Sequence, residues 1–319
     1  MKRTGHLYER AFTREALFDA YQTAARHKHG KRSCFNFEKR LAHNLDALYD
    51  ALQTGAYQPQ PYYTFMVYEP KPRRIYAPAF SDLVVQHAIY RLIYPIFNPG
   101  FIDQSFACRV GKGTHKAANY AQHALQCSSP DSYTLKLDIR KFFYRIDRVI
   151  LRQQIERKIK DRRFVDVMMQ FADYGEPVGI PIGNLLSQVY ALIYLNPLDH
   201  FIKRELGVRQ YCRYVDDFIL YDQSREQALA NQARIAAFLR DELRLELSKW
   251  TLARRQRGLN FVGYRTWASR RFIRKRSLFN FTKSMRKNRI DSDVSILGHA
   301  RDTHSLGHLT RKFKEHYHA

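Results

Sequence analysis

The sequence has little cysteine, no long apolar run and few acidic residues for its many basic ones. Its four cysteines stand apart, without Cys-x-x-Cys spacing, which argues against a zinc site or a disulfide framework and suits a reducing compartment. No apolar stretch approaches the roughly 20 residues that span a bilayer, and no apolar run follows the basic first residues as in a secretory signal. We therefore expect a cytoplasmic protein without a membrane partner.

Two common ligand-binding patterns are present only in part. His304 and His308 lie four residues apart, but the glutamate or third ligand of a zinc site is missing. Gly111-Lys-Gly-Thr114 lacks the earlier glycine of a Walker loop. We interpret the histidines as part of a basic tail, and the glycine segment as a basic loop in which Arg109 and Lys112 contact nucleic acid.

Positive charge dominates the composition. The chain has 54 Lys and Arg residues against 30 acids, a net charge of +24, and residues 250–319 hold 17 of the basic residues with 4 acids. Aromatic residues are interleaved in that last stretch, as in surfaces that follow a phosphate backbone. A solubility charge or a membrane-surface charge is the alternative. We favour nucleic acid as the partner, with Arg274, Lys275 and Arg276 as backbone contacts.

Helical and strand patterns are mixed without regular β-α-β alternation, which favours an α+β fold. Residues 7–54 predict two or three helices, and residues 62–76 predict strands joined by a turn at Glu69–Pro72. The later elements predicted from periodicity and capping are a helix at 81–97 capped by Asp82, a strand at 132–139, one helical stretch at 148–172, a helix from about Leu185, a fresh helix opened by Asn196-Pro197, a helix at 225–243, and a strand at 259–267 paired with the segment after Ser269.

Two adjacent acids, Asp216 and Asp217, stand inside an apolar and aromatic run from Tyr211 to Tyr221. Aspartate is disfavoured in strands, and a buried carboxylate needs a partner. A tight hairpin turn with solvated acids is the alternative interpretation, because aspartate is also a common turn residue.

A third acid, Asp138, ends a predicted strand on the face opposite Leu135 and Leu137. Alone it could be the N-cap of a following helix. Together with Asp216 it makes a carboxylate pair that neighbouring strands could bring together. Two metal ions with oxygen ligands, about 3.5–4 Å apart, need such shared carboxylates.

Four ordered motifs resemble those of reverse transcriptases. They are Leu137–Phe143, similar to the first palm motif; Gly179–Gln188, similar to the loop and helix beside the nascent base pair; Tyr214–Asp217, which resembles the YxDD signature; and Phe261–Tyr264, similar to the primer-grip hairpin with Phe261, Gly263 and Tyr264. They appear in the family's order and spacing between Tyr62 and Trp267.

The resemblance implies a right-hand polymerase with fingers, a palm with an antiparallel sheet, and a short helical thumb. It implies an N-terminal helical extension at 1–61, fingers and palm at 62–268, and a basic thumb at 269–319. The implied activity is RNA-directed DNA synthesis from template RNA, a primer or growing cDNA, and dNTPs.

The resemblance also assigns roles to single residues. Asp138 and Asp216 would hold two Mg²⁺ ions, with Mn²⁺ as an alternative ion, the Ile139 carbonyl would join them, and Asp217 would support them. Toward the nucleotide, Lys71 and Arg73 would grip the triphosphate, Phe143 would lie under the sugar, and Ile182 and Gly183 would lie beside the new pair. Lys249 is a candidate general acid. Core packing for Phe143 and a solvated side chain for Lys249 are the alternatives.

The motif around Gly183 departs from the commonest pattern, because Ile182 precedes the glycine where glutamine is usual, and the motif ends in Ser187-Gln188. This combination resembles the reverse transcriptases of diversity-generating retroelements, which are encoded by bacteria or phages. The compact length, without an endonuclease or maturase extension, agrees with that expectation.

The resemblance to these retroelements implies error-prone copying at template adenines and an oligomeric, basic accessory variability protein as partner. Glutamine would offer a donor and an acceptor to the nascent pair, whereas isoleucine offers neither; packing at the fingers–palm junction is the alternative role. The alternative functions are a reverse transcriptase of a retron, a group II intron or a phage-defence system, and a non-catalytic RNA-binding scaffold.

Overall fold

Helices and short antiparallel sheets are mixed in the computed structural model of the protein, which describes residues 3–68 and 71–317. Of the turn predicted at Glu69–Pro72, Glu69 and Pro70 lie outside these residues. The helices are α1 (Leu7–Ala11), α2 (Arg14–Ala25), α3 (Arg32–Glu38), α4 (Leu41–Thr54), α5 (Phe80–Phe97), α6 (Thr114–Cys127), α7 (Phe142–Arg145), α8 (Arg148–Glu156), α9 (Arg162–Gln170), α10 (Leu185–His200), α11 (Arg225–Leu243), α12 (Lys275–Met285), α13 (Ile290–His299) and α14 (Leu306–Tyr317). The strands are β1 (Tyr63–Val67), β2 (Arg73–Ala77), β3 (Tyr133–Ile139), β4 (Tyr211–Tyr214), β5 (Asp217–Gln223), β6 (Leu247–Arg254), β7 (Leu259–Phe261), β8 (Tyr264–Thr266) and β9 (Arg271–Ile273).

The described residues form two compact units. The described residues of unit 1 lie within Met1–Phe101, Lys141–Pro197 and Arg240–Leu245, and those of unit 2 within Ile102–Arg140, Leu198–Leu239 and Glu246–Ala319. The predicted boundaries after residues 61 and 268 do not coincide with the limits of these units. The division into extension, fingers with palm, and thumb therefore stays a prediction.

Unit 2 is built on a four-stranded antiparallel sheet in the order β4-β5-β3-β6. One face is apolar, since Leu135 and Leu137 are fully buried. Helix α6 packs on the other face, where Ala117, Ala121 and Ala124 cluster with Cys212 and Ile219. Small side chains allow a close approach of the helix to this face, on which Ile219 is paired with Lys136.

A second sheet of unit 2, in the order β7-β8-β9, packs with helices α12–α14. Tyr264, Ile273, Phe281 and Leu309 form the buried centre of this part. Residues 275–317 are therefore a helical segment with a small core of its own, and its many basic side chains lie around that core.

In unit 1, helices α1, α2 and α3 contact α5, and α4 packs on α2 and α3. The described part of the chain contains no helix long and apolar enough to cross a membrane. Residues 7–54 hold four helices, more than the two or three expected. Asp82 does not cap α5, which begins two residues earlier at Phe80. Asp82 is instead buried, and it accepts hydrogen bonds of 2.8 Å from the Tyr57 hydroxyl and the Gln60 amide.

Two further helix predictions were wrong. The stretch 148–172 forms two helices, because Asp161 starts α9 by accepting a hydrogen bond from Phe164 N. Asn196-Pro197 opens no fresh helix, since α10 runs through Pro197 to His200. Leu195 and Leu198 on either side are fully buried, so packing compensates for the hydrogen bond that proline removes.

Candidate active site

The adjacent acids lie at a tight hairpin between β4 and β5. Tyr214 pairs with Asp217, so Val215 and Asp216 form a two-residue turn. Val215 has a φ of 57°, which costs a β-branched residue about 1–2 kcal/mol. The turn that was the alternative interpretation is therefore present, but Tyr211, Cys212 and Phe218 in its strands are fully buried. The acids stand at the end of a buried hairpin and not on a solvated loop.

The third acid comes from β3, which runs antiparallel to β5. Asp138 lies directly opposite Asp217, a pairing in which the Cβ atoms are about 4.5–5.5 Å apart. The next residue, Ile139, donates its amide to the Asp216 carbonyl at 3.3 Å. All three acids therefore meet at one end of the sheet in unit 2.

Only one of the two carboxylate oxygens of Asp217 has a hydrogen-bond donor among the described residues. Its Oδ2 accepts a hydrogen bond of 2.8 Å from Lys136, and Lys136 also donates to the Asn260 carbonyl at 2.9 Å. Its Oδ1 is buried and has no hydrogen-bond partner among the described residues. Burial raises the pKa of Asp217, Lys136 opposes that increase, and the charge of Asp138 adds to it. A buried carboxylate oxygen without a donor is costly, and this donor set fits a hard divalent cation.

A β-bulge in β6 adds a residue that the sequence did not point to. Asp138 pairs with Lys249 and Ile139 pairs with Leu247, which leaves Ser248 as the extra residue. The Ser248 hydroxyl donates to Asp138 Oδ2 at 2.6 Å. A bulge has no signature in a single sequence. Lys249 is directly opposite Asp138 and exposed, and its role as a general acid stays a prediction.

A concave site of about 540 Å³ in unit 2 lies beside these acids. Asp138 and Asp217 line it together with Lys136, Lys249, Trp250, Arg257 and Arg265. Trp250 is 43% exposed. The acids therefore border a cleft whose other ionisable side chains are basic, a lining that attracts a polyanion.

The predicted primer-grip residues form a second tight hairpin, between β7 and β8. Phe261 and Tyr264 pair across it, and both side chains are buried. The turn residues Val262 and Gly263 have φ values of 41° and 92°. A Cβ on Gly263 would come within 2.7 Å of His299 Nε2, so glycine is required there. The turn itself is partly buried, and its Gly263 carbonyl accepts a hydrogen bond of 3.1 Å from the Arg274 amide. The two aromatic rings are enclosed in the protein.

The residues predicted to contact nucleic acid differ in burial and in the interactions that their side chains make within the protein. Arg109 donates to the Ile102 and Ser105 carbonyls, at 2.6 and 3.1 Å, and Lys112 forms an ion pair with Asp103. These interactions order the loop, and they compete with any interaction of Arg109 or Lys112 with a ligand. In the second group, Arg274 is half-buried, and burial lowers its pKa while Asp217 opposes the decrease. Its neighbours Lys275 and Arg276 are exposed at the start of α12.

Unit 1 holds the residues predicted to meet the nucleotide. Lys71 and Arg73 are exposed, and Arg73 begins β2. The Ile182 carbonyl accepts the Tyr76 amide of β2 at 2.7 Å, and a Cβ on Gly183 would lie 2.6 Å from Ile75 Cγ2.

The same loop of unit 1 also contacts α7. The Ile180 amide donates to the carbonyl of the partly buried Phe143 at 2.8 Å. Strand β2, helix α7 and the loop before α10 are thus brought together within this unit.

Comparisons with known proteins agree with this geometry. A family model described as "Reverse transcriptase (RNA-dependent DNA polymerase)" matches residues 69–266. Protein YkfC of Escherichia coli (strain K12) is 26% identical over 291 residues, which cover 76% of this chain and 74% of YkfC. The group II intron-encoded protein LtrA of Lactococcus lactis subsp. cremoris is 29% identical over 170 residues, 50% of this chain and 28% of LtrA.

A solved structure of telomerase from Candida albicans, in complex with a fragment of telomeric RNA, is similar with a TM-score of 0.52 and 11% identity. The similarity covers 83% of this chain and 57% of that chain. This likeness and the mixture of helices with antiparallel sheets confirm the predicted α+β polymerase fold class. The chain spans about three quarters of YkfC but much less of the longer relatives.

Proposed function

Because the chain belongs to the reverse transcriptase family of RNA-dependent DNA polymerases, we propose that it performs RNA-templated DNA synthesis at the acids of unit 2. Asp138 and Asp216 hold two Mg²⁺ ions, with Mn²⁺ as an alternative, the Ile139 carbonyl assists, and Asp217 supports them. The observation that carries this proposal is the meeting of the acids at one sheet end, where Asp138 pairs with Asp217 and Ile139 N contacts the Asp216 carbonyl.

Divalent ions held by Asp138 and Asp216 would lower the pKa of the primer hydroxyl and neutralise charge on the leaving pyrophosphate. The protein's own residues keep the ligands in place. Ser248 orients Asp138 through its hydrogen bond, and Lys136 holds Asp217 through an ion pair of 2.8 Å. Lys249, opposite Asp138, donates a proton to the leaving pyrophosphate.

The nucleotide is held by the residues of unit 1. Lys71 and Arg73 bind the triphosphate, for which arginine has a suitable planar fork. Phe143 lies under the deoxyribose, and its ring leaves no space for a 2′-hydroxyl. The carbonyl of Phe143 is fixed by Ile180 N at 2.8 Å, which supports a rigid position for this ring. We expect Phe143→Ala to increase ribonucleotide incorporation.

Template RNA and the growing cDNA follow the basic surface of unit 2. The hairpin of Phe261, Gly263 and Tyr264 contacts the primer through its backbone turn, because both rings are buried. The remaining contacts come from the basic residues named above, with Arg274, Lys275 and Arg276 on the primer-template backbone and Arg109 and Lys112 in a supporting loop.

We further propose that the chain is the error-prone enzyme of a diversity-generating retroelement, with an oligomeric basic accessory protein as partner. Ile182 supports this proposal: its backbone is pinned to β2 through Tyr76, while its side chain is partly exposed. An isoleucine at a fixed position removes one polar contact to the nascent pair. A group II intron enzyme is the second candidate, which the similarity to LtrA favours.

Sequencing of cDNA separates the two candidates. We expect the wild-type enzyme to place its errors at template adenines. Ile182→Gln should make fewer of these errors, and the apolar control Ile182→Val should make as many as wild type. Equal error spectra for wild type and Ile182→Gln would show that Ile182 does not determine the errors. A wild-type spectrum without adenine bias would favour the intron enzyme. A template repeat beside an adenine-mutated variable repeat in the genome would support the retroelement independently.

A further inference from the structure

A buried polar cluster lies behind the acid-bearing hairpin in unit 2. Arg213 is 1% exposed and Asp199 is fully buried. They form a bidentate pair, with Nε to Oδ1 at 2.7 Å and Nη2 to Oδ2 at 2.5 Å. The Tyr211 hydroxyl donates to the same Asp199 Oδ1 at 2.7 Å. Tyr211 and Arg213 share one face of β4 because they are two residues apart in a strand.

The same guanidinium also reaches the turn. Its Nη1 donates to the Val215 carbonyl at 2.9 Å. The carbonyl of the second turn residue, Asp216, accepts the Ile139 amide. Both carbonyls of the two-residue turn are therefore held, one by a buried side chain and the other by the strand that carries Asp138. A turn with Val215 in the left-handed region needs such anchors, since strained backbone persists only where its surroundings determine it.

We propose that Arg213, fixed by Asp199, is a positioning residue that holds the 215–216 turn and thereby sets the affinity of Asp216 and Asp138 for divalent cations. The inference rests on the proposed function, in which these acids bind the ions. Neither Arg213 nor Asp199 contacts substrate in this account, because both are enclosed in the protein.

Stability alone does not account for a charged pair at this position. A buried ion pair loses much of its Coulombic gain to desolvation, and apolar residues of similar size are often equally stabilising. The hydrogen-bonding geometry of the guanidinium explains better why an arginine stands at this position. The planar fork of arginine satisfies both carboxylate oxygens and still has a third nitrogen for the Val215 carbonyl, which a lysine ammonium cannot reproduce.

The experiment compares three variants of the full chain. Asp199→Leu/Tyr211→Phe/Arg213→Met removes the whole cluster without leaving a buried charge. Arg213→Lys keeps the charge and loses the fork, and serves if the triple variant does not fold. Tyr211→Phe is the matched control, because it removes a donor to Asp199 that does not touch the turn.

Three readouts are used, none of which needs polymerase activity. Free Mn²⁺ is titrated by electron paramagnetic resonance, hydrogen exchange is followed in the peptide 211–221, and template-RNA binding is measured. For the triple variant and Arg213→Lys we expect about tenfold weaker Mn²⁺ binding, faster exchange in that peptide and unchanged RNA binding. Tyr211→Phe should match wild type.

If the folded Arg213→Lys variant or the triple variant bound Mn²⁺ and exchanged hydrogen as wild type does, the positioning role would be overturned. The proposed polymerase function would not be affected by that result. Loss of RNA binding in parallel with Mn²⁺ binding would also overturn it, since it would indicate general disruption. If instead the wild type bound no Mn²⁺ at Asp138 and Asp216, as shown by Asp216→Asn titrating identically, the proposed function itself would fail.

Discussion

The Ser248 hydroxyl donates a hydrogen bond of 2.6 Å to Oδ2 of Asp138, and the β-bulge in β6 makes this contact. Residues that orient a metal ligand typically contribute 10–100-fold to activity. We expect Ser248→Ala to lower kcat by roughly tenfold with little change in KM for dNTP, and Ser248→Thr to retain most activity. Steady-state primer extension measures both constants. An unchanged kcat in Ser248→Ala would show that Asp138 needs no such support.

Removing the partner of Asp217 is expected to reduce stability as well as activity. Lys136 and Asp217 are each 25% exposed in their ion pair, so Lys136→Met leaves a largely desolvated carboxylate alone. The expected loss is about 1–3 kcal/mol in the free energy of unfolding, below the value for a fully enclosed pair. Urea denaturation measures it. The exposed Lys283→Met in α12 changes the net charge equally, and an equal loss there would contradict the explanation.

Gly183 and Gly298 are expected to respond in opposite ways to alanine. Gly183 has a φ of 108°, and its Cβ would lie 2.6 Å from Ile75 Cγ2, so Gly183→Ala strains the loop and must displace the Ile75 side chain of β2. We expect it to raise KM for dNTP severalfold and to lower the Tm. Gly298 lies in α13 with nothing within 4 Å of an added Cβ, and alanine there should stabilise the helix by about 0.5–1 kcal/mol. Equal effects would contradict the packing of β2 on the loop.

Local patterns explain which parts of this site were predictable. Leu135, Leu137 and Ile139 identify a strand with Asp138 on its other face, because a period of two is a local property. The helix at 225–243 agrees with α11 for the same kind of reason. That Asp138 lies opposite Asp217 depends on long-range strand pairing, whereas the sequence predicted only that neighbouring strands could bring Asp138 and Asp216 together.

The supporting residues were not predictable in the same way. Ser248 reaches Asp138 through a bulge, which is a feature of the paired strands and not of the sequence. Asp199 and Arg213 did carry a signal, since each is a charged residue within an apolar segment, but their pairing is tertiary. The metal-binding roles of Asp138, Asp216 and Asp217 remain predictions.

We expect the free energy of unfolding to decrease at acidic pH because His87 becomes protonated in the unfolded chain. Burial lowers the pKa of His87 to about 4, and the charge of Lys28 adds to the decrease. Between pH 4 and an unfolded value of about 6.5, the unfolded chain binds more protons, so stability rises with pH in this window. At pH 5 the loss relative to pH 7.5 is about 1–2 kcal/mol.

The control for this prediction is a second histidine of unit 1. His87→Gln should flatten the dependence of unfolding free energy on pH, whereas His43→Gln, at an exposed position of α4, should leave it as in wild type. Urea denaturation at several pH values makes the comparison. An identical slope in His87→Gln would show that another group is responsible.

The most direct test of the metal-dependent site is primer extension on a poly-rA template with oligo-dT and Mg²⁺, comparing Asp216→Asn with Asp241→Asn. Asp241 is an exposed carboxylate of α11 that pairs with Arg240, so its variant should extend the primer as wild type does. Asp216→Asn should lose at least about 1,000-fold in rate while it still binds the template. Extension that survives in Asp216→Asn, or its absence in wild type despite RNA binding, would contradict catalysis at these acids and favour an RNA-binding scaffold.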